Sequence, residues 1–401
     1  MANNPIFEVL VIGAGPAGLA SAHHLQRAGI PYRVVDRAEC IASTWANLYP
    51  SLQLNTARFV SHLPGRRMPL RYKIYPLGTQ LYEYLVEYAE RGQFKLEFGV
   101  TVRRVTPEAH ASASGWRVET DAWTAWFPAV IVASGRFNNP YMPTIPGQET
   151  YTGRLLHASA YHRAADFAGQ QVVVVGNGPS GADIAAELSA AAARPVWLSI
   201  RSDIVMARRY PLGLPETVWR ILLDRLPARV NKWLTNRISY MGYPDQDDLA
   251  AQYGVKFAPN RVDRVGSSAP IRGRELIDAI RAGNVRPVAG LARLHERRAA
   301  LLDGTSVEAD AVILGTGYRP AIQYLDFPYT VDKDGWLKRT SDEITDSVTA
   351  VAGYAGLYLV GRYYRGLGPL HNIRAEAHDA VTRIAAAWET QTREPIRQTS
   401  V

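Results

Sequence analysis

The chain has 401 residues, of which 47% are hydrophobic and 20% charged, and its formal net charge is +8. This composition is typical of a soluble globular protein, and the length suffices for two domains. The sequence has no apolar run as long as a membrane span, and its first residues, MANNPIFE, lack the regions of a secretory signal. The single cysteine, Cys40, excludes an internal disulfide and a Cys-x-x-Cys redox pair. We therefore expect a cytoplasmic protein with no membrane partner.

Arginine outnumbers lysine, which suits the binding of phosphates and carboxylates, and the sequence contains no nucleic-acid motif. It also shows no metal-ligand cluster and no Ser-His-Asp or Cys-His arrangement. We therefore interpret the net positive charge as a solvated basic surface and expect no nucleic-acid partner.

A glycine-rich turn follows the first apolar strand, which we predict at Glu8–Ile12, and precedes a helix predicted to end near Ala28. The turn reads Gly13-Ala14-Gly15-Pro16-Ala17-Gly18. In this G-x-G-x-x-G pattern the first glycine permits a tight turn, the second lets a pyrophosphate approach, and the third lets helix and strand pack closely. The N–H groups of the helix N-terminus then face the anion.

Asp36 ends the next predicted strand, Tyr32–Val35, and stands 18 residues after Gly18. A carboxylate at this point accepts hydrogen bonds from ribose hydroxyls and repels a phosphate on that ribose. The first half-site therefore suits FAD or NAD. A solvated aspartate or a helix N-cap is the alternative.

A second copy of the pattern follows the predicted strand Gln171–Val175 and precedes the predicted helix Ala182–Ala192. It reads Gly176-Asn177-Gly178-Pro179-Ser180-Gly181. Arg201 and Ser202 follow the predicted strand Val196–Ile200, with Arg201 20 residues after Gly181. A guanidinium and a hydroxyl there suit the 2′-phosphate of NADPH, although a surface arginine is the alternative.

The remaining elements are read from apolar periodicity and turn residues. Ser43–Pro76 is irregular, which is typical of a functional segment, and 203–270 reads as a mostly helical insertion. The other predicted elements are a helix at Thr79–Arg91, a β-meander from Lys95–Val105 through Gly115–Thr120 to Thr124–Phe127, strands at Ala129–Ala133, Val285–Ala289, Ala311–Leu314 and Leu357–Val360, a hairpin around Asp303-Gly304, helices at Val218–Leu226 and Val230–Ile238, and a C-terminal helix at Ile373–Trp388.

These motifs, in this order, resemble those of class B flavin-dependent monooxygenases, most of all the flavin-containing monooxygenase and YUCCA-like family. The most specific is Tyr151-x-Gly153-x-x-x-His157-x-x-x-Tyr161, similar to the family signature F-x-G-x-x-x-H-x-x-x-(F/Y/W). In Baeyer–Villiger relatives the signature ends in Trp followed by Pro or Asp. The Tyr161-His162 ending therefore favours oxygenation of a heteroatom. Ala42-Ser43 stand where the family often has two glycines, and Asp36 where many members have Glu.

The resemblance implies an α/β fold with two dinucleotide-binding, Rossmann-like domains, the NADPH domain inserted into a discontinuous FAD domain. We expect the FAD domain at 1–165 and 310–401 and the NADPH domain at 166–309, with a helical insertion at about 203–270. Catalytic roles fall on Asn55, His157 and Tyr161; a turn residue and a structural histidine are the alternatives for the first two.

The fingerprints and the resemblance together predict a set of residues that contact FAD or NADPH. They are Gly13, Gly15, Pro16, Ala17, Gly18, Asp36, Arg37, Thr44, Trp45, Gly135, Gly176, Gly178, Pro179, Ser180, Gly181, Arg201, Ser202, Gly317, Tyr318 and Gly361. Gly317-Tyr318 resembles the family's A-T-G-Y segment, a structural link between domains.

The implied activity is NADPH-dependent oxygenation of a soft nitrogen or sulfur nucleophile of a small molecule by O₂, through a flavin C4a-hydroperoxide that the protein shields from water. An NADPH oxidase or reductase of the same fold, and a non-enzymatic flavin-binding sensor or interaction protein, are the alternatives. The resemblance also leads us to expect a homodimer.

Overall fold

The computed structural model describes residues 7–110, 113–191, 195–238, 241–254, 256–258, 270–340, 348–362 and 366–393. The strands are β1 (Val9–Ile12), β2 (Tyr32–Val35), β3 (Leu96–Glu97), β4 (Val102–His110), β5 (Ala113–Thr120), β6 (Thr124–Phe127), β7 (Ala129–Val132), β8 (Arg154–His157), β9 (Val172–Val175), β10 (Val196–Ser199), β11 (Ile204–Ala207), β12 (Phe257–Ala258), β13 (Ile271–Arg272), β14 (Val285–Val288), β15 (Leu291–His295), β16 (Arg298–Leu301), β17 (Ser306–Glu308), β18 (Ala311–Leu314) and β19 (Leu357–Leu359).

The α-helices are α1 (Pro16–Arg27), α2 (Ser43–Ala46), α3 (Gly78–Gly92), α4 (Pro179–Ala191), α5 (Glu216–Leu223), α6 (Ala228–Ile238), α7 (Gln246–Tyr253), α8 (Glu275–Arg281) and α9 (Pro369–Arg393). Short 3₁₀ helices lie at Gln148–Thr150, Ala158–Ala160, Ala164–Phe167 and Pro211–Gly213.

The chain divides into two units. The first comprises Met1–Ala46, Arg58–Asn139 and Arg319–Val401; the second comprises Asn47–Ala57 and Pro140–Tyr318. The first unit is therefore discontinuous in sequence, and the second interrupts it. The predicted domain boundaries at 165/166 and 309/310 stay predictions.

The first unit contains a five-stranded parallel sheet in the order β19-β7-β1-β2-β3. All four residues of β1, Val9–Ile12, are buried, as are those of β7. Such uninterrupted apolar runs are typical of parallel strands that are covered on both faces. Helix α1 follows β1 directly and packs against α9.

An antiparallel sheet, β4-β5-β6, accompanies the parallel sheet in the first unit. The β-meander prediction is confirmed, but the bounds of its first strand, Lys95–Val105, are wrong. That stretch divides at the turn around Gly99, which has a φ of +70°. Its first part, β3, joins the parallel sheet beside β2, and its second part begins β4.

The second unit repeats the parallel arrangement, with the strand order β14-β10-β9-β18-β8. The edge strand β8 lies inside the Tyr151–Tyr161 signature and pairs with β18, so that His157 lies opposite Leu314. Sequence analysis did not predict β8, because Arg154–His157 has neither alternation nor a long apolar run. The predicted α/β fold class, with one glycine fingerprint on each parallel sheet, is confirmed.

The region 203–270 is less helical than predicted. Helices α5, α6 and α7 are present, but β11 precedes them and pairs in parallel with β12 and β13. Residues 239–240, 255 and 259–269 lie outside the described part of this region. The hairpin around Asp303-Gly304 is confirmed and is one edge of a three-stranded sheet, β15-β16-β17.

An ion pair is buried within the first unit. Arg339 Nη1 lies 3.0 Å from Glu376 Oε1, and the two side chains are 0% and 1% exposed. The second carboxylate oxygen of Glu376 accepts the backbone N–H of Gly361 at 2.6 Å. Glu376 thus joins helix α9 both to the loop after β19 and to the strand-like segment around Arg339.

We expect Glu376→Gln to lower the free energy of unfolding by about 3 kcal/mol, because it removes the carboxylate charge from a buried ion pair. Denaturant unfolding of the purified protein measures the loss. Glu90→Gln, on the exposed face of α3, is the control and should change the stability by about 0.5 kcal/mol or less. Equal stabilities for the two variants would contradict the expectation.

Candidate cofactor and active site

The first glycine fingerprint forms the turn between β1 and α1. Gly13 has a φ of +113°, and a Cβ on it would lie 2.5 Å from the carbonyl oxygen of Ala133. A Cβ on Gly18 would overlap the carbonyl oxygen of Gly13. Gly15 is the N-cap of α1, Pro16 begins the helix, and a Cβ on Gly15 would meet no atom within 4 Å. The loop therefore borders open space in front of unpaired helix N–H groups, as a pyrophosphate requires.

Asp36 is fixed beside this loop by the backbone. Its Oδ2 accepts the N–H of Ala14 at 2.7 Å, and its Oδ1 accepts the N–H of Ala38 at 2.9 Å. Each carboxylate oxygen has a further lone pair, so both remain able to accept a ribose hydroxyl. The geometry fits the bare ribose of FAD.

The other residues predicted for the first half-site lie in the first unit. The Arg37 guanidinium donates to Asn138 Oδ1 at 2.9 Å. Gly135 and Gly361 have positive φ angles of +82° and +94°, as turns after parallel strands require. Thr44 and Trp45 lie in the single turn α2.

Ala42, where the family often has glycine, has a φ of +49° and is 3% exposed. Its backbone N–H donates to Ala14 O at 3.1 Å, and its carbonyl oxygen accepts the N–H of Trp45 at 2.7 Å. The family's preference for glycine therefore has a local cause, because this turn requires a left-handed backbone. The chain keeps the turn in spite of its alanine.

The second fingerprint has the same backbone geometry in the second unit. Gly176 has a φ of +111°, and a Cβ on it would lie 2.6 Å from the carbonyl oxygen of Gly315. A Cβ on Gly181 would overlap the carbonyl oxygen of Gly176. Pro179 begins α4 and Ser180 follows it in the first turn, while Gly178 O accepts the N–H of Ala182 at 3.0 Å. The N-terminus of α4 is thus presented as an anion site at the end of β9.

Arg201 and Ser202 are exposed at the end of β10, in the position that corresponds to Asp36. The Arg201 side chain lies against Gly290, where a Cβ would be 2.5 Å from Arg201 Cγ. Asn177, inside the fingerprint, donates from Nδ2 to the carbonyl oxygens of Ser202 and Asp203, both at 2.8 Å. Sequence analysis missed this role of Asn177, which fixes the loop that presents Arg201. The arrangement fits the 2′-phosphate of NADPH.

His157 is held at both ring nitrogens. The N–H of Ser159 donates to Nδ1 at 3.1 Å, which leaves the proton on Nε2, and Nε2 donates to Gly317 O at 3.0 Å. The Tyr318 ring packs edge-on at 5.0 Å. Burial lowers the pKa of His157, which favours the neutral ring. The catalytic role stays a prediction; these bonds give His157 a structural role that joins the signature to Gly317-Tyr318.

Tyr161 is 1% exposed and packs between Tyr49 and Phe167, with ring centroids 5.7 and 5.8 Å away. Burial, together with the nearby carboxylate of Glu187, raises the pKa of its hydroxyl. Tyr49 Oη in turn donates to Asp183 Oδ2 at 3.5 Å. Sequence analysis missed this group, because Tyr49 and α4 are far apart in the sequence. The predicted catalytic role of Tyr161 is not tested by this packing.

Asn55 lies in the irregular segment and is half-buried. Its side-chain amide makes no hydrogen bond to the described part of the chain, whereas Tyr49 and Ser51 of the same segment are both bonded. A half-buried amide of this kind is available to a ligand. The surroundings of Asn55 are thus compatible with a catalytic role, and that role stays a prediction.

Helix α9 begins at Pro369, earlier than predicted, so that His371 and Asn372 lie in its first turn. Arg374 donates to His62 Nε2 at 2.6 Å and to His371 Nδ1 at 2.7 Å. Both histidines act as acceptors, so both are neutral. Burial lowers the pKa of each, and the Arg374 charge lowers it further.

The described residues contain neither a candidate metal site nor a candidate membrane span. No three His, Cys, Asp or Glu side chains among them could hold a metal ion. None of the helices in the described ranges combines the length and the apolar character that a membrane span needs.

Residues 7–336 match the model of the family described as flavin-binding monooxygenase-like. The chain belongs to this family. Among curated relatives, a probable indole-3-pyruvate monooxygenase YUCCA1 of Arabidopsis thaliana is 31% identical, with 97% of this chain and 91% of the relative covered. Indole-3-pyruvate monooxygenase YUCCA1 of Oryza sativa subsp. japonica is 30% identical, with 89% and 87% covered.

A solved flavin-containing monooxygenase from Stenotrophomonas maltophilia is 26% identical, with a TM-score of 0.67 and coverage of 95% of this chain and 98% of that chain. A cyclohexanone monooxygenase has a TM-score of 0.73 at 16% identity, with 96% and 88% covered, and shares the fold. A bacillithiol disulfide reductase from Staphylococcus aureus shares it too, with a TM-score of 0.67 at 14% identity and 95% and 98% covered. The fold alone thus does not separate monooxygenases from reductases; the family match does.

The predicted family, enzyme class and cofactors are confirmed: this flavin-binding monooxygenase uses FAD, NADPH and O₂ on a small substrate. The sensor alternative is thereby excluded. The two fingerprints fit these cofactors, with Asp36 in one half-site and Arg201 in the other.

Gly15→Ala should weaken FAD binding about tenfold or more, because the added methyl group occupies the space that a pyrophosphate needs beside the α1 N-terminus. The apoprotein should fold normally, since the methyl group meets no protein atom within 4 Å. FAD titration and circular dichroism measure the two effects. Gly18→Ala, which forces an overlap with Gly13 O, should instead destabilise the fold. Unchanged FAD affinity in Gly15→Ala would refute the assignment.

Arg201→Ala should raise KM for NADPH about 10- to 100-fold and leave KM for NADH within about twofold, because a charge-assisted bond to the 2′-phosphate contributes about 1.5–3 kcal/mol. Steady-state NADPH and NADH oxidation measures both constants. Arg286→Ala is the matched control, since Arg286 is exposed on β14 of the same sheet. An equal effect on both coenzymes would rule out recognition of the phosphate.

Proposed function

We propose that this flavin-binding monooxygenase transfers one oxygen atom of O₂ to a soft nucleophile, an amine nitrogen or a sulfide sulfur, of a small molecule. NADPH supplies two electrons as a hydride. The second oxygen atom leaves as water, which contains the hydrogen of that hydride and a proton from the medium. Substrate, O₂, NADPH and H⁺ thus give oxygenated substrate, NADP⁺ and water.

Each unit contributes one half-site. The loop at Gly13–Gly18 and the fixed carboxylate of Asp36 bind FAD, and the α4 N-terminus with Arg201 and Ser202 binds NADPH. When bound, FAD supplies both hydride acceptance and oxygen activation. The protein then has to bind, orient and exclude water.

The observation that carries the proposal is the state of His157. Both of its ring nitrogens are engaged, and its side chain is 5% exposed. The hydroxyl of Tyr161 is buried as well. The His157 ring is thus not free to act as an acid or base, which suits a substrate that attacks with its own lone pair and needs no deprotonation. The Tyr161-His162 ending of the signature supports the same choice.

We assign Asn55 to the oxygen side of the flavin, where its amide can bind a polar group. His157 and Tyr161 act as positioning residues in this proposal. His157 fixes Gly317-Tyr318 through its Nε2 proton, and Tyr161 supports Tyr49.

A second candidate substrate is an aromatic 2-oxo acid. The relatives at 30–31% identity are named indole-3-pyruvate monooxygenases. Oxygenation of such a substrate releases its carboxyl group as CO₂ and uses the same two cofactors. The homodimer remains a further proposal, which sedimentation of the purified protein tests.

The deciding experiment supplies the FAD-loaded protein with NADPH, ¹⁸O₂ and, separately, a tertiary amine, an aryl methyl sulfide, cyclohexanone and indole-3-pyruvate. We expect one labelled oxygen atom in the amine oxide or the sulfoxide, in near-equal amount to the NADPH consumed. Label only in the 2-oxo acid product would favour the second candidate. Label in the lactone, or hydrogen peroxide as the sole product with every substrate, would overturn the proposal.

A further inference from the structure

The segment Asn47–Ala57, here called the Asn55 segment, belongs to the second unit although the residues on both sides of it belong to the first. Tyr49 anchors it. Its ring is 3% exposed and lies in the hydrophobic core of the second unit, against Tyr161. Leu52 N donates to Tyr49 O at 3.1 Å, which makes a turn beyond the anchor.

Two carboxylates of α4 bind this segment. Asp183 Oδ2 accepts the Tyr49 hydroxyl at 3.5 Å, and Glu187 Oε2 accepts the Ser51 hydroxyl. Asp183 and Glu187 are four residues apart, so they lie on one face of the helix. At the far end of the segment, Ala57 N donates to Thr217 Oγ1 at 3.4 Å.

The carboxylate pair is not explained by helix stability. Like charges at i and i+4 destabilise a helix. The pKa of Asp183 is raised to about 7, chiefly by burial of its carboxyl group; Glu275 and Glu187 contribute to the rise, whereas Arg209 and the Tyr49 hydroxyl oppose it. Two neighbouring carboxylates that destabilise their own helix are expected where they have a role in binding or positioning other groups.

We propose that Asp183 and Glu187 are positioning residues, which hold the Asn55 segment on α4 through Tyr49 and Ser51. The proposal rests on the proposed function for the role of Asn55. The last three residues of the second fingerprint, Pro179–Gly181, begin α4, so the helix that starts at the predicted nucleotide site also bonds the Asn55 segment. Binding of NADPH at the start of α4 and placement of Asn55 are therefore set by the same rigid element.

The test removes the two hydroxyls and leaves the aromatic ring at position 49 and helix α4 intact, in the double variant Tyr49→Phe/Ser51→Ala. The matched control is Tyr253→Phe/Ser306→Ala, which removes a Tyr253 bond to Ile280 O and a Ser306 bond to Arg298 in the same unit. Asp183→Asn is the conservative variant, because an asparagine oxygen still accepts the Tyr49 hydroxyl.

The first readout is hydrogen exchange of the backbone amides of 47–57 in the FAD-loaded protein. We expect exchange about tenfold faster in the double variant, because local opening becomes easier, and unchanged exchange in the control and in Asp183→Asn. The second readout is oxygenated product formed per NADPH consumed. It should fall about fivefold in the double variant, with KM for NADPH within about twofold.

The outcomes separate this proposal from the proposed function. Unchanged exchange in the double variant overturns the holding role of α4. Faster exchange with unchanged product per NADPH overturns the positioning of Asn55. If the wild-type protein forms no oxygenated product from any substrate, the proposed function fails, and the exchange result alone decides whether α4 holds the segment.

Discussion

Each unit depends on one close backbone contact, between the third glycine of its fingerprint and the carbonyl oxygen of the first. At Gly18 and Gly13, and again at Gly181 and Gly176, no side chain fits between helix and strand. This contact brings the helix start to the carboxyl end of the central strand of the sheet. The helix N–H groups, the fixed residue at the end of the next strand and the open space beside the loop all follow from it.

The two half-sites share this backbone and differ in charge. Asp36 places fixed acceptors beside one loop, whereas Arg201 places a cation beside the other. A 2′-phosphate is repelled by an aspartate and attracted by an arginine, so the proposed assignment lets one side chain in each unit discriminate between two adenine dinucleotides. The protein needs both, since a flavin-dependent monooxygenase must take electrons from one nucleotide and pass them to O₂ on the other.

Local pattern was sufficient to predict β1, α1, β9 and α4 and the places of Asp36 and Arg201 at strand ends, because strand, turn and helix adjoin in the sequence. It failed where pairing is non-local. Arg154–His157 becomes a strand only because β18 lies beside it, and Leu96–Glu97 joins the parallel sheet only through β2. The bond from Tyr49 to Asp183 spans 134 residues, so no local signal could indicate it. The hydrogen bond from His157 to Gly317 is also non-local, so the sequence alone could not show that this ring nitrogen is occupied.

The Arg339–Glu376 pair links the loop after β19, through Gly361, to helix α9. Because both side chains are buried and paired, replacement of either residue alone carries a large penalty in stability. During divergence of related sequences, positions 339 and 376 should therefore vary together, either as a conserved ion pair or as two apolar residues of similar volume. Gly361 would be affected in the second case, because its N–H would lose its acceptor and the loop beside α1 would need another one. One buried ion pair thus limits the substitutions that this unit tolerates at three positions that are separated in the sequence.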